Sequence, residues 1–426
     1  MPALPALARE LITVALRAAD PAAALRVGWI QTPEPEGRRV ILSAGKASIA
    51  MVRQAVRLVR NRYNAALVTA PPELAAVRLP RAEVWPCDHP YPTARNARAA
   101  RAIRKVLTTL GPHDELLVLL SGGASAHLSL PAPGVTVRDV ARVTRLLQKH
   151  GATIEELNTV RKHIEQLKGG RLAAMAACPV RAFILSDVIG DRLDVIGSGP
   201  TAPDPTTSAD AFMVLRRRGL LTAVPRITDF LRRCRREPVT DTPKPGDPCF
   251  IHVKNTIIAS NTLVTQAIAR HLRRKGWIVE MRTGMTGEAR LAANEFCRGA
   301  MSAHRADACV IGGETTVTVG KARGLGGPSQ EFALAAAILL QRRPYALLTF
   351  STDGRDGPTD AAGAFITGKT ADAMRHAGIN PSKALSAHDS HRALDRVGAL
   401  IRVPPTGTNL NHVAVFIRLE ESTRES

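Results

Sequence analysis

Short runs of Val, Ile, Leu and Ala recur along the chain, each closed by a small or hydroxyl residue and followed by a helix-length stretch. Arg39 to Ser43, Asn64 to Thr69, Glu115 to Leu120 and Arg181 to Leu185 are four such runs. Thr256 to Ala259, Trp277 to Arg282, Ala308 to Ile311 and Ala346 to Phe350 continue the pattern. Runs without polar alternation suit strands covered on both faces, and the stretches between them supply helical crossovers. The pattern predicts an α/β fold with a mainly parallel sheet.

At 426 residues the chain is long enough for two cores. The segment Arg236-Glu237-Pro238 to Asp247-Pro248-Cys249 is rich in proline and polar residues, and is taken as the boundary between domains 1–240 and 241–426. The opening residues up to Asp20 place apolar side chains at helical spacing, interrupted by Arg9, Glu10 and Arg17. They predict an amphipathic helix rather than a signal peptide. No run is long enough to cross a bilayer, and a cytoplasmic protein is expected.

In parallel sheets, ligands bind beyond the carboxyl ends of the strands. Here those ends carry Ser43-Ala44-Gly45-Lys46, Ser121-Gly122-Gly123-Ala124-Ser125, Ser186-Asp187, Gly312-Gly313-Glu314 and Ser351-Thr352-Asp353-Gly354. A single glycine-rich turn is ordinary; several together read as a site for phosphate or carboxylate. Ser121, Gly122, Gly123 and Ser125 are expected to gather N–H and hydroxyl donors about an anion. Lys46, after a strand and a glycine, is placed at the first turn of a helix, where a cation opposes the helix dipole unless an anion faces it. Asp187, Asp191, Asp353 and Asp356 are candidates for Mg²⁺ or for orienting an acceptor hydroxyl, with Asx turns as the plain alternative. Arg161 and Lys168, seven apart, are read as one helical face able to hold an anion.

Several classes fall away. There is no G-x-x-x-x-G-K-[ST], no protein-kinase signature, and no G-x-G-x-x-G after the first strand. Six scattered cysteines make neither a zinc motif nor a disulfide framework. The formal charge of +21 is spread along the chain, and with aromatics at only 4% there is little for nucleic-acid bases to stack on. Attraction of small anions is the better use of that charge.

Nine strings, in order, resemble the glycerate 2-kinases that end in a MOFRL domain. They are Ala44-Gly45-Lys46-Ala47, Ser121-Gly122-Gly123-Ala124-Ser125-Ala126, Asn158-Thr159-Val160-Arg161-Lys162-His163, Lys168-Gly169-Gly170-Arg171-Leu172, and Ser186-Asp187-Val188-Ile189-Gly190-Asp191, then Gly197-Ser198-Gly199-Pro200-Thr201, Gly312-Gly313-Glu314-Thr315-Thr316, Thr352-Asp353-Gly354-Arg355-Asp356-Gly357-Pro358-Thr359-Asp360 and Thr406-Gly407-Thr408-Asn409.

The resemblance implies a Rossmann-like N-terminal domain, a smaller α/β C-terminal domain and an active site in the cleft between them. It implies phosphoryl transfer from ATP, with Mg²⁺, to the 2-hydroxyl of D-glycerate. Lys46, Asp187 and Arg355 would be catalytic. Ser121, Gly122, Gly123, Ser125, Asn158, Arg161, Lys168, Ser198, Thr201, Glu314 and Asn409 would bind substrate or phosphate, and Asp191, Asp353 and Asp356 the metal. Small-molecule substrates are the expected partners, with no nucleic acid and no membrane, and a homodimer is left open. The alternatives are an NAD(P)H-dependent hydroxypyruvate reductase, a label often attached to such sequences, and a kinase acting on a related small hydroxy acid. Two departures stand out: Pro328-Ser329 follows Gly326-Gly327 where relatives often have Arg-Asn, leaving Arg323 or Arg355 to substitute, and His412 stands where an acid is common.

Overall fold

The structure, a computed structural model, describes residues 5–31, 34–236, 241–320 and 324–419. The chain divides into two compact units, one of Pro21–Ile258 and one of Met1–Asp20 with Ala259–Ser426. The first holds strands β1 (Arg39–Ala44), β2 (Ala65–Ala70), β3 (Ala82–Pro86), β4 (Glu115–Leu120), β5 (Val180–Ser186) and β6 (Val253–Ser260), in the order β3-β2-β1-β4-β5-β6. The register is parallel from β3 through β5. β1, β4 and β5 are buried at every residue, as their unbroken apolar runs require. This is the Rossmann-like order, with its topological switch between β1 and β4.

Helix starts in this unit are written locally. Thr93, Thr136, Thr153 and Thr207 each cap a helix, and the residue three further on (Asn96, Asp139, Glu156, Asp210) completes a capping box.

The second unit carries β7 (Val279–Glu288), β8 (Ala308–Thr316), β9 (Tyr345–Ser351), β10 (Gly363–Thr367), β11 (Leu400–Ile401) and β12 (His412–Arg418), in the order β11-β10-β9-β12-β8-β7. β12 runs antiparallel between β8 and β9, so this sheet is mixed. The helix Pro328–Leu339 is buried from Ser329 to Ala337, consistent with its apolar sequence on every face.

The expected boundary at 240/241 differs from the one observed. Residues 237–240 lie outside the described residues, but the chain just beyond them stays with the first unit. Asp241 Oδ1 lies 2.9 Å from His163 Nε2, Thr242 Oγ1 donates to Asp204 over 3.0 Å, and β6 completes the sheet beside β5. The division falls within β6 instead. The opening helix, Ala6–Ala19, forms as expected but sorts with the second unit. Its stripe of Ala8, Leu11, Ile12 and Ala15 is buried, and Glu10 lies 2.9 Å from His271 on the helix Asn261–Arg274. Among the described residues no helix is long and apolar enough to cross a membrane.

Candidate active site

Ala44 and Leu120 are register partners, so the loops leaving β1 and β4 lie side by side at the switch point. Lys46 N–H donates to Gly122 O over 2.8 Å, and Ala47 N–H donates to Ser121 Oγ over 3.0 Å. Gly45 has φ +116°, and a Cβ there would stand 2.5 Å from Ser121 O. Glycine is what lets the two turns close on each other. Lys46 is exposed and just precedes the helix Ser48–Leu58, so its charge faces outward ahead of an unfavourable helix end. A Cβ on Gly122 would lie 2.7 Å from Asp187 Oδ2, which places this carboxylate against the glycine turn. Burial raises the Asp187 carboxyl above its ordinary range, with the Lys46 charge opposing.

The turn is a weaker dipole site than its sequence suggests. The helix after Gly123 is only Ala124–His127, and the N–H groups of Ala124, Ala126 and His127 are spent on Ser121 and Gly123 carbonyls. A single turn carries little macrodipole. Attraction for an anion here comes mainly from side-chain charge.

Two histidines complete the turn that no sequence pattern had marked. Asn96, fully buried, donates to Asp88 O over 2.8 Å and to Ala126 O over 2.9 Å, tying the loop after β3 to the glycine turn. His89 on that loop rests against Gly123, whose added Cβ would meet His89 Cδ2 at 3.2 Å and Lys46 Cγ at 3.6 Å. Although the residue reaches the surface, burial of its ring, then the Lys46 and Arg161 charges, push its imidazole down to about 4. His127, with no exposed surface, holds Nδ1 3.3 Å from Gly45 N and 3.2 Å from Thr69 O. Burial pushes it down to about 4 as well. Neither histidine lies at a motif spacing; only strand order brings them to Lys46.

A polar relay runs from the turn to the helix Ile154–His163. Ser125 Oγ lies 2.6 Å from Ser198 Oγ, which donates to Asn158 Oδ1 over 2.8 Å. These three expected site residues therefore meet. Others expected beside them are differently employed. Lys168 is fully buried and ion-paired to Glu165, itself bonded by Ser129 Oγ over 2.6 Å, so it is a structural cation rather than a free anion ligand. Desolvation pushes Lys168 down to about 8. Thr201 donates to Asn255 Oδ1 over 2.6 Å and fastens its loop to β6. Asp191 sits in a left-handed turn at φ +54°, its N–H donating to Val188 O over 3.1 Å.

The second unit has its own set of strand ends, where β8 and β9 flank the start of β12. Asp356, expected as a metal ligand, is engaged within the fold. Its carboxylate accepts Ser329 N–H at 2.9 Å, Gln330 N–H at 2.8 Å and Gln330 Nε2 at 2.9 Å, capping the helix Pro328–Leu339. Burial nonetheless pushes this carboxyl up to about 6. Asp353 accepts from Ser351 Oγ over 2.8 Å and from Arg355 N–H over 2.9 Å, an Asx turn with Arg355 exposed at its tip. Glu314 is exposed on β8, and Asn409 accepts Asn411 N–H over 3.0 Å.

With this geometry in view, comparison with known proteins is decisive. A family model described as a domain of unknown function (DUF4147) matches residues 7–232, and the MOFRL family model matches residues 307–412. The glycerate 2-kinase of Pyrococcus horikoshii is 37% identical over 90% of this chain and 88% of its own length. The chain belongs to the glycerate 2-kinase family with a MOFRL domain. The D-glycerate 2-kinase of Thermotoga maritima is 36% identical over 89% of this chain and 90% of its own. A crystal structure of glycerate kinase from the same organism superposes with a TM-score of 0.87 at 34% identity, covering 97% of this chain and 99% of that one.

Within the family, the two departures acquire local explanations. Pro328 occupies the first turn of its helix, where a missing N–H costs nothing and a fixed φ helps. His412 sits where β8 and β9 approach β12, with Nδ1 3.4 Å from Thr315 Oγ1, and burial pushes it down to about 4 against the pull of Asp353. Arg323 lies outside the described residues.

Proposed function

We propose that this chain transfers the γ-phosphoryl group of ATP to the 2-hydroxyl of D-glycerate, giving 2-phosphoglycerate and ADP. The observation that carries the reading is Lys46, exposed at the switch point of a Rossmann-like sheet and set against a glycine turn, in a chain of this family. Phosphoryl transfer asks a protein mostly for positioning and for charge opposite the transferring group. Lys46 supplies that charge, and the Ser121–Gly123 turn holds its backbone in place. Asp187 stands beside it as the carboxylate of the turn.

Among the described residues no three His, Cys, Asp or Glu side chains converge as a metal cage. Mg²⁺ needs less, one or two carboxylates with phosphate oxygens for the rest, and Asp187 fits that share. When bound, the ion would neutralise phosphate charge. Asp191, Asp353 and Arg355 keep no assigned step.

The reductase alternative finds no support at the switch point. A nicotinamide dinucleotide on this sheet order needs a run of glycines after β1 so that the pyrophosphate can approach the backbone. Gly45 is followed there by Lys46-Ala47-Ser48-Ile49.

The purified chain, given ATP, Mg²⁺ and D-glycerate, should release ADP and 2-phosphoglycerate, resolved from the 3-isomer by NMR. Formation of 3-phosphoglycerate alone would overturn the regiochemistry. Rapid oxidation of NADH by hydroxypyruvate, with no ADP formed, would overturn the kinase reading itself.

A further inference from the structure

The helix Ile154–His163 ends in three successive basic residues, and all three are buried: Arg161 is 8% exposed, Lys162 2% and His163 2%. Two of them are fully matched. Lys162 Nζ lies 3.2 Å from both Asp194 Oδ2 and Asp204 Oδ1. His163 lies 2.9 Å from Asp241 through Nε2 and 2.7 Å from Thr159 O through Nδ1. Arg161 is different. Among the described residues no hydrogen bond or ion pair reaches its guanidinium, and its Nε is shut away from water with no acceptor. The acid that acts on it, Glu165, is already shared by Lys168 and Ser129. A buried guanidinium without an anion is costly, and a ligand carboxylate removes that cost.

We propose that Arg161 binds the carboxylate of the acceptor, and so decides that the acceptor must be a hydroxy acid rather than a simple alcohol. This rests on the kinase reading above. Asn158 lies three residues earlier on the same helix and therefore on the same face. Through Ser198 it is joined to Ser125 beside the glycine turn. One face thus offers a planar fork of donors that matches a carboxylate, next to hydroxyl and amide groups suited to a polyol carbon. The site is tied to the phosphoryl-handling turn by the Asn158–Ser198–Ser125 relay, and on the turn the His89 ring, which feels the charges of both Lys46 and Arg161, rests on Gly123. Lys46 already serves the phosphate as a point charge, which leaves the fork for the acid.

His89 makes the idea measurable without turnover. The groups acting on or beside its ring are Lys46, Arg161, the neighbouring Asp88 and His127. In the nucleotide-free protein, D-glycerate bound at Arg161 should cancel part of that positive field and raise the His89 pKa by at least about half a unit, followed by NMR. Glycerol, which lacks the acid, should leave it unmoved. In steady state, Arg161→Gln should raise KM for D-glycerate about 100-fold while KM for ATP changes less than about twofold, and Arg161→Lys should recover part of the loss.

A rise in KM for ATP instead would make Arg161 a phosphate ligand and overturn the proposal. A lower Tm with both KM values unchanged would make it a structural partner of Glu165, with the same consequence. Should Arg161→Gln fail to fold, Arg161→Lys and the wild-type titration decide. If the wild-type chain makes no phosphoglycerate but glycerate still shifts His89, the kinase reading fails and the carboxylate site stands.

Discussion

After β1 and on the helix Ile154–His163 the chain leaves a cation facing outward or unmatched, while the two carboxylates Asp353 and Asp356 beyond β9 are engaged by backbone N–H groups. Lys46 is exposed against a glycine turn, and the buried Arg161 keeps its Nε without an acceptor among the described residues. Asp356, by contrast, spends its carboxylate on the first turn of a helix, and Asp353 closes its own turn. Both regions are strings of glycines, hydroxyls and charges after a strand, and their sequences look equally catalytic. The difference is whether local backbone N–H groups are close enough to consume the side chain. A carboxylate next to a helix start finds them at once, whereas a cation in a tight glycine turn finds no carbonyl to spare.

The comparison can be broken most sharply at Lys46. Lys46→Ala should lower kcat about 1000-fold, as removal of a group that stabilises transition-state charge does. Its Tm should not move, because Lys46 is exposed. A variant that keeps near-normal turnover would make the exposed charge incidental and erase the contrast.

The second prediction uses pH. His127 has its imidazole pushed down to about 4 from 6.5, so the folded state binds its proton less readily than the unfolded chain. Its contribution is fully present above pH 6.5 and is lost as pH falls toward 4, by about 3 kcal/mol in all. Asp356 works in the opposite sense. Its carboxyl is pushed up to about 6 from 3.8, so its contribution favours the folded state at low pH and is lost as pH rises through 6. Urea unfolding of His127→Gln between pH 7 and 4 should therefore show a flatter acid loss than wild type. A parallel loss in both proteins would sink the assignment.

The smallest effect sharpens the other side of the contrast. Asp356→Ala should cost about 2 kcal/mol of stability, the worth of a cap whose donors become buried without partners. The Mg²⁺ dependence of the rate should stay as it was. A large rise in the Mg²⁺ needed for activity would return Asp356 to the metal.

Much of the first sheet is legible in the sequence. β1, β4 and β5 are continuous apolar runs, and a residue row hidden on both faces leaves that trace wherever it occurs. The threonine capping boxes are equally local. The second sheet was only partly legible. β8 and β9 were expected, but β10 and β11 are short, and β12 pairs antiparallel between strands far away in the chain. The opening helix was recognised as amphipathic, yet its unit was not, since a stripe of Ala, Leu and Ile does not say which surface it covers.

The sequence by itself determined the α/β class, the glycine turns and Lys46, because strand hiding and turn closure leave residue-by-residue marks. Its ordered strings also carried the resemblance to the kinase family. Tertiary structure alone decided which charges are spent. Lys168 and Arg161 are equally basic and share one expected face, but Glu165 reaches only one of them with an ion pair. His89 meets Lys46 only because β3 and β4 sit on either side of β1 and β2 in the folded sheet, with Asn96 drawing the loop across. Pairing between side chains distant in sequence depends on distances of a few ångströms, and those are fixed by packing rather than by spacing along the chain.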